Sequence, residues 1–120
     1  MHTRLQKRSG EQLIKIMNIE IKSKWIEALR SGDYPQGIGW LKDDSGRFCC
    51  LGVLCDVVDP ENREKWIGET ILPSSVSVEA DLEQTGRLKR SVGAFDRLVD
   101  LNDTAGFNFN QIANVIEEQF

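Results

Sequence analysis

Histidine is almost absent from this sequence. The single histidine is His2, which lies far from the regions where helical patterns begin. A Cys-His or Ser-His catalytic pair therefore has no well-placed base within the folded part of the chain, and hydrolases that use such pairs are disfavoured. A structural zinc site normally needs four cysteine or histidine ligands, which three thiols and one remote imidazole do not provide. We predict no catalytic residue, no metal ion and no cofactor.

Long hydrophobic runs are missing too. No apolar stretch approaches the ~20 residues needed to span a bilayer, and no charged segment precedes an apolar one in the manner of a secretory signal. The cysteines number three, and Cys49 and Cys50 are adjacent, so a disulfide between them would strain the chain. We therefore expect reduced thiols, a cytoplasmic location and no association with a membrane.

Phosphate-binding motifs and a broad basic surface are also absent. The “GIG” at 37–39 lacks the third glycine and the following helix of a dinucleotide-binding motif, and no G-x-x-x-x-G-K-S/T motif occurs. The net charge is −4, to which residues 1–16 contribute +3 and residues 17–120 contribute −7. An acidic body disfavours duplex nucleic acid, which requires Lys and Arg clustered on one face. We expect no partner of that kind.

The residues that are present fit one small globular domain. A length of 120 residues, with 40% hydrophobic and 28% charged residues, is close to the average for such domains. Residues 1–16 show no sustained helical or strand period, and we interpret them as an N-terminal extension. An ordered arm packed on the body is the alternative for that stretch. Residues 17–120 form the predicted domain.

Helical periodicity marks four places in this domain. Apolar spacing in residues 21–29 predicts an amphipathic N-terminal helix, and residues 50–58 have the spacing of a short buried helix. Residues 92–103 are predicted to contain a further helix. The last helix is predicted to follow Asn108, an N-cap whose capping box is completed by Gln111.

The other segments are assigned from turn residues. Residues 38–51 surround “DDSG” and predict a β-hairpin, and residues 59–66 predict one or two helical turns. Residues 76–82 fit a strand or a helix, and no firmer assignment is made within 66–91. We therefore predict a single α+β domain with an N-terminal helix, a β-hairpin, a short buried helix and C-terminal helices.

All three cysteines lie in one stretch, “GRFCCLGVLCDVVD”, at residues 46–59. Free cysteine is among the most buried residue types, so we predict that Cys49, Cys50 and Cys55 are core residues. The alternative gives Cys50 a function, because it would lie where a strand passes into a helix, and an N-terminal helix position lowers a thiol pKa. The second hypothesis is therefore a cysteine-dependent enzyme or redox protein that uses Cys50.

A candidate binding surface lies in “RSGDYPQGIGW”, residues 30–40. Arginine can hold phosphate or carboxylate, aromatic rings can stack on a ligand, and glycines let backbone N–H groups approach it. The alternative is an ordinary connection in which Trp40 packs in the core. The predicted ligand-binding residues are Arg30, Tyr34, Gln36, Trp40, Arg47, Asn102 and Asp103.

Several stretches together resemble a family of small uncharacterised proteins from bacteriophages and prophages. They are “KWIEALRSGDYPQGIGWL”, “FCCLGVLCD”, “LP” at 72–73 and “LNDTAGFNFNQIANVIEEQF”. The resemblance begins near Met17 and implies a phage accessory gene, acting in the cytoplasm of the host cell. It implies no catalytic residue, because that family has no established activity.

The first hypothesis is accordingly a small accessory protein that works by binding rather than catalysis. Its partner would be a small anionic ligand, such as a nucleotide-like signal, or a host protein, and its effect would be to inhibit host defence. A virion or assembly component is the third hypothesis. The sequence leaves open whether the chain forms a homo-oligomer.

Overall fold

The structure, a computed structural model, describes residues 17–120 and, before them, the backbone of two short strands. The strands β1 (Leu5–Lys7) and β2 (Leu13–Lys15) pair antiparallel, with Leu5 opposite Lys15. Apart from these two strands, the extension predicted for residues 1–16 lies outside the described residues.

Helices supply most of the regular structure after Met17. The elements are α1 (Ile19–Arg30), α2 (Cys50–Val58), a 3₁₀ helix (Pro60–Trp66), α3 (Ser74–Ala80), β3 (Arg87–Val92), β4 (Phe95–Arg97), α4 (Leu98–Asp103) and α5 (Phe109–Gln119). Strands β3 and β4 pair antiparallel as a hairpin. The fold is therefore α+β, as predicted. None of the described helices is long and apolar enough to cross a membrane.

Helix α2 lies at the centre of the domain and packs against α1, α3, α4 and the 3₁₀ helix. It is buried from Cys50 to Asp56, because its sequence is apolar on almost every face. Gly52 allows the chain at Leu41 to come close, since a Cβ on Gly52 would lie 1.8 Å from the Leu41 carbonyl oxygen. Helix α2 and the segment at Leu41 are therefore packed backbone against backbone.

The predicted first and last helices are both confirmed, and they pack against each other. Asn18 caps α1 by accepting a hydrogen bond from the Ile21 amide at 3.0 Å. The predicted capping box at the start of α5 is present, because the Gln111 amide donates to Asn108 Oδ1 and the Asn108 amide donates to Gln111 Oε1. Local capping residues thus fix both helix starts.

The hairpin predicted for residues 38–51 is wrong as a regular strand pair. Its turn exists, and Asp43 and Arg47 are joined by a backbone hydrogen bond of 2.9 Å. Next to the turn the Cys49 amide donates to the Leu41 carbonyl at 3.1 Å, but the flanking residues also bond to other segments. The Leu41 amide donates to the Glu69 carbonyl at 2.7 Å, and the Phe48 amide donates to the Pro35 carbonyl at 2.8 Å. Only isolated β-bridges result.

Within residues 17–120 the strand hairpin lies instead at β3 and β4, where the register shifts between Arg87 and Val92. Val92 and Phe95 are directly opposite each other across a two-residue turn, so the helix predicted from residue 92 begins only at Leu98. It ends at Asp103, as predicted.

The ambiguous segment 76–82 is helical over most of its length, as part of α3. Val76 and Ala80 are buried at i and i+4, whereas Val78 is 71% exposed. A strand would have placed Val76 and Val78 on the same face. The helical turns predicted for 59–66 are present as the 3₁₀ helix.

Candidate functional site

Asn102 and Gln36 form a buried polar network at the base of the loop that follows α1. The Asn102 amide group donates to the Gly37 carbonyl at 2.9 Å and to Asp103 Oδ1 at 2.8 Å. Its oxygen accepts from Gln36 Nε2 at 2.9 Å and from the Cys50 amide at 3.2 Å. Asn102 is thereby fully engaged within the fold, so this network holds the loop in place rather than offering free groups to a ligand.

Tyr34 belongs to a second polar cluster. Its hydroxyl donates to Asp56 Oδ2, and Arg63 Nε donates to Asp56 Oδ1 at 2.6 Å. Burial of the ring, reinforced by the hydrogen bond to Asp56, raises the pKa of Tyr34 to about 12. The ring also packs edge-to-face on Phe48, with centroids 5.0 Å apart. Tyr34 therefore remains a protonated donor that serves Asp56.

Arg30 lies on the surface shared by α1 and α5. Its guanidinium donates to Asn114 Oδ1 at 2.8 Å and to Glu117 Oε1 at 2.9 Å. Arg30, Tyr34 and Gln36 do line one shallow pocket of about 290 Å³. Each of them, however, already donates to a group of the fold, so this pocket is poorly suited to hold an anion.

Trp40 and Arg47 come together in a second depression, which we call the Trp40 groove. It has a volume of about 500 Å³. Its lining residues are Trp40, Asp43, Asp44, Ser45, Arg47, Ile67 and Gly68. Trp40 is 47% exposed, whereas the next residue, Leu41, is fully buried. The alternative prediction that Trp40 packs in the core is therefore wrong.

One wall of the Trp40 groove is a turn organised by Asp43. Asp43 Oδ1 accepts from the amides of Ser45 and Arg47, each at 2.9 Å, and Oδ2 accepts from Arg47 Nε at 3.1 Å. These hydrogen bonds, led by the one from the Arg47 backbone, lower the pKa of Asp43 to about 2. Asp43 is thus ionised at neutral pH, and the Arg47 guanidinium is already paired with a carboxylate.

The opposite wall is a type II turn formed by residues 66–69. The Glu69 amide donates to the Trp66 carbonyl at 3.1 Å. Ile67 has φ −65° and ψ 123°, and Gly68 has φ 81°, the left-handed value that the third position of this turn requires. The hydrogen bond from Leu41 to Glu69 then ties this turn to the residue next to Trp40.

Glu69 also lines a further depression, which we call the Trp66 pocket. It has a volume of about 270 Å³ and is lined by Asp59, Lys65, Trp66, Glu69, Ile71, Pro73 and Ser75. Trp66 is only 3% exposed, and within the described part of the chain its Nε1–H has no hydrogen-bond partner. Sequence reasoning missed this pocket, because only tertiary packing brings its residues together.

Comparison with known proteins assigns the chain to a family. The family model described as Domain of unknown function (DUF8296) matches residues 17–120. The chain belongs to this family. The DUF8296 match contains both the Trp40 groove and the Trp66 pocket. No curated protein and no solved structure matches the chain.

The three cysteines of the DUF8296 domain are core residues, as predicted. Burial raises the pKa of the Cys49 thiol to about 12 and raises the pKa of Cys50 and Cys55 well above the ordinary value. Cys50 does occupy the first position of α2, but its thiol is fully buried and donates to the Leu98 carbonyl at 3.7 Å. An activated thiol needs exposure and a lowered pKa, so Cys50 lacks both properties that its proposed function requires.

Proposed function

We propose that this protein acts by binding another protein, without catalysis, and that the partner contacts the Trp40 groove. The main support for the proposal is that Trp40 is exposed while the backbone on both sides of it is held in place by hydrogen bonds. Leu41 is fixed by Glu69, and Gln36 is fixed by Asn102. Large aromatic side chains held in one position lose little conformational freedom on binding and are frequent anchors of protein interfaces.

Neighbouring apolar side chains extend this surface. Among residues 17–120, the large hydrophobic residues with high exposure are Ile19, Ile38, Trp40, Ile71 and Val78. Three of them, Ile38, Trp40 and Ile71, lie on two chain segments. These segments are joined by the hydrogen bond between Leu41 and Glu69. Several exposed apolar side chains on joined segments are typical of interaction sites, whereas single ones are common anywhere on a protein surface.

The charge around the surface favours a partner with basic residues. The Trp40 groove contains Asp43, Asp44 and Arg47, and Arg47 is paired with Asp43. The Trp66 pocket adds Asp59 and Glu69 against a single Lys65. Each depression therefore carries an excess of negative charge. A partner surface with apolar residues surrounded by Lys or Arg would be complementary to it.

The same charges give less support to a small anionic ligand. Both arginines predicted to hold an anion are paired with carboxylates, Arg30 with Glu117 and Arg47 with Asp43. An incoming nucleotide would have to compete with those carboxylates. We therefore place sequestration of a nucleotide-like signal behind a protein partner.

The biological setting of the proposal rests on the resemblance to bacteriophage and prophage proteins. In that setting the chain is a phage accessory protein in the host cytoplasm, and its partner is a host protein with a role in defence. Binding through the Trp40 groove would then block that host protein. No observation favours a virion or assembly component.

Site-specific photo-crosslinking tests where the partner binds. The photoreactive residue p-benzoylphenylalanine replaces Ile38, which is 63% exposed next to the groove, or Val78, a comparably exposed apolar residue on α3. The protein is irradiated in cells in which its gene is naturally expressed. We expect one discrete adduct from position 38, none from position 78, and crosslinked peptides that contain Lys or Arg beside apolar residues. Identical adducts from both positions, or none from position 38, would contradict the proposal.

A further inference from the structure

Trp66, which lines the pocket, carries an unusual polar group. The indole Nε1–H of Trp66 is buried, and no acceptor within the described residues bonds to it. Most buried donors in native proteins have a partner, because an unpaired one has lost its hydrogen bond to water without a replacement. An acceptor supplied from outside the chain would therefore gain a hydrogen bond that the free protein lacks.

The other residues of the pocket indicate what kind of acceptor fits. Ile71 and Pro73 provide an apolar wall, while Asp59 and Glu69 contribute carboxylates. Asp59 is held in place by a hydrogen bond of 2.8 Å from Asn62 Nδ2. Carboxylates at the pocket repel an anionic acceptor, so the acceptor that fits is neutral and attached to an apolar group. A peptide carbonyl next to an apolar side chain has that chemistry.

We propose that the Trp66 pocket recognises a backbone carbonyl of the partner protein, an inference that rests on the proposed function. The carbonyl oxygen accepts from Trp66 Nε1–H after side chains around the indole turn aside. An apolar side chain of the partner then packs on Ile71 and Pro73, and a neighbouring Lys or Arg lies near Glu69. The partner element is thus a short peptide segment that combines apolar and basic residues.

The position of the pocket fits the same partner as the Trp40 groove. Ile67 and Gly68 line the groove, and Glu69 lines the pocket, so the turn at 66–69 separates the two by only its own width. A segment that crosses this turn contacts both depressions. The Trp66 pocket would therefore bind the part of the segment that extends past the residues in contact with Trp40.

Nuclear magnetic resonance of the indole N–H groups tests the inference directly. The chain has three tryptophans, and Trp25 serves as an internal control because its Nε1–H already donates to the Cys50 carbonyl at 2.9 Å. The probe is N-acetyl-leucyl-lysinamide, titrated into the ¹⁵N-labelled full-length protein. We expect the Trp66 indole proton to move downfield in a saturable manner and the Trp25 signal to stay unchanged. Replacing lysine by glutamate in the probe should weaken the effect. A Trp66 signal that does not respond, or that moves no more than that of Trp25, would overturn the inference.

Trp66→Phe separates recognition from a structural role. This variant keeps an aromatic ring but removes the donor, and because Phe fills less of the core than Trp66 we expect a lowered melting temperature in a protein that stays folded. Affinity for the probe should fall roughly three- to tenfold, the effect of losing one neutral hydrogen bond. Unchanged affinity in a folded Trp66→Phe protein would overturn the inference. If the Trp66 tests fail while the position-38 adduct forms, only the inference about the Trp66 pocket is wrong. If the adduct is absent while Trp66 responds, the proposal that the partner contacts the Trp40 groove is wrong.

Discussion

Helix α2 and the loop around Trp40 are both apolar and glycine-containing, yet the structure uses them in opposite ways. Helix α2 is buried along most of its length, whereas Ile38 and Trp40 are exposed to solvent. The contrast is sharpest between neighbours, because Trp40 is exposed and Leu41 beside it is buried against Gly52. The exposure of Trp40 is therefore not a sign of poor packing. It is a property of a loop whose backbone is fixed to the core.

The largest expected effect comes from breaking the contact that fixes this loop. Gly52→Ala would place a methyl group 1.8 Å from the Leu41 carbonyl oxygen, and the atoms that it meets belong to the backbone of Leu41 rather than to a flexible side chain. We expect the free energy of unfolding to fall by more than about 3 kcal/mol, with little folded protein recovered. Circular dichroism during thermal unfolding measures this. Val57→Ala, at a half-buried position of the same helix, is the control and should leave the protein folded. A stable Gly52→Ala variant would contradict the close packing described here.

Trp40 and Leu41 are neighbours whose replacement by alanine should change the free energy of unfolding by different amounts. Leu41→Ala should lower the free energy of unfolding by about 2–5 kcal/mol, because it leaves a cavity in the core. Trp40→Ala should lower it by about 1 kcal/mol or less, as is usual for surface positions without special contacts. Chemical denaturation of both variants gives the two values. Equal losses would show that Trp40 is part of the core after all.

Replacing a buried cysteine should change the free energy of unfolding by a smaller amount. Cys55→Ser introduces a hydroxyl at a fully buried position, and we expect a loss of roughly 1–3 kcal/mol because the hydroxyl is buried without a partner. Cys55→Ala is the matched control for lost volume without added polarity.

In the unmodified protein, a thiol reagent should react with all three cysteines only after denaturation. Rapid reaction of native Cys50 would revive the redox hypothesis.

Only some elements of the structure could be predicted from the sequence. Helices α1, α2 and α5 were predicted because apolar spacing and capping residues such as Asn108 act over a few residues. The 38–51 hairpin was wrong as a regular strand pair because the Leu41 amide bonds to Glu69, a partner 28 positions away that no local pattern reveals. The spacing from residue 92 onward suited one helix as well as it suited a strand, a tight turn and a shorter helix.

The candidate site was predictable only in part, for the same reason. Trp40 and Arg47 were both named and do line one groove, whereas Gln36 and Asn102 proved to serve the fold by bonding to each other. Trp66 was not named at all. A tryptophan that follows a helical turn resembles a core residue in sequence, and its unpaired donor is visible only in three dimensions.

The smallest expected effect is a pH dependence of the turn that forms one wall of the groove. The folded pKa of Asp43 is about 2, below its ordinary value of 3.8, so the turn is stabilised by Asp43 above that ordinary value and loses this contribution as the pH falls toward 2. The Arg47 amide resonance should therefore titrate with a midpoint near pH 2. The control is Asp43→Asn, in which this titration should disappear. A midpoint near pH 4 would mean that the hydrogen bonds to Asp43 do not form in solution.

The most direct test of the central claim is the yield of the position-38 adduct after Trp40→Ala is added. The variant must first be shown to unfold at a temperature close to that of the parent. Because an anchoring tryptophan contributes about 2 kcal/mol or more to an interface, we predict that the adduct yield falls about tenfold or more. Val78→Ala, which removes an exposed apolar side chain elsewhere, should leave the yield unchanged. An undiminished adduct in folded Trp40→Ala protein would contradict the assignment of the Trp40 groove as the binding surface.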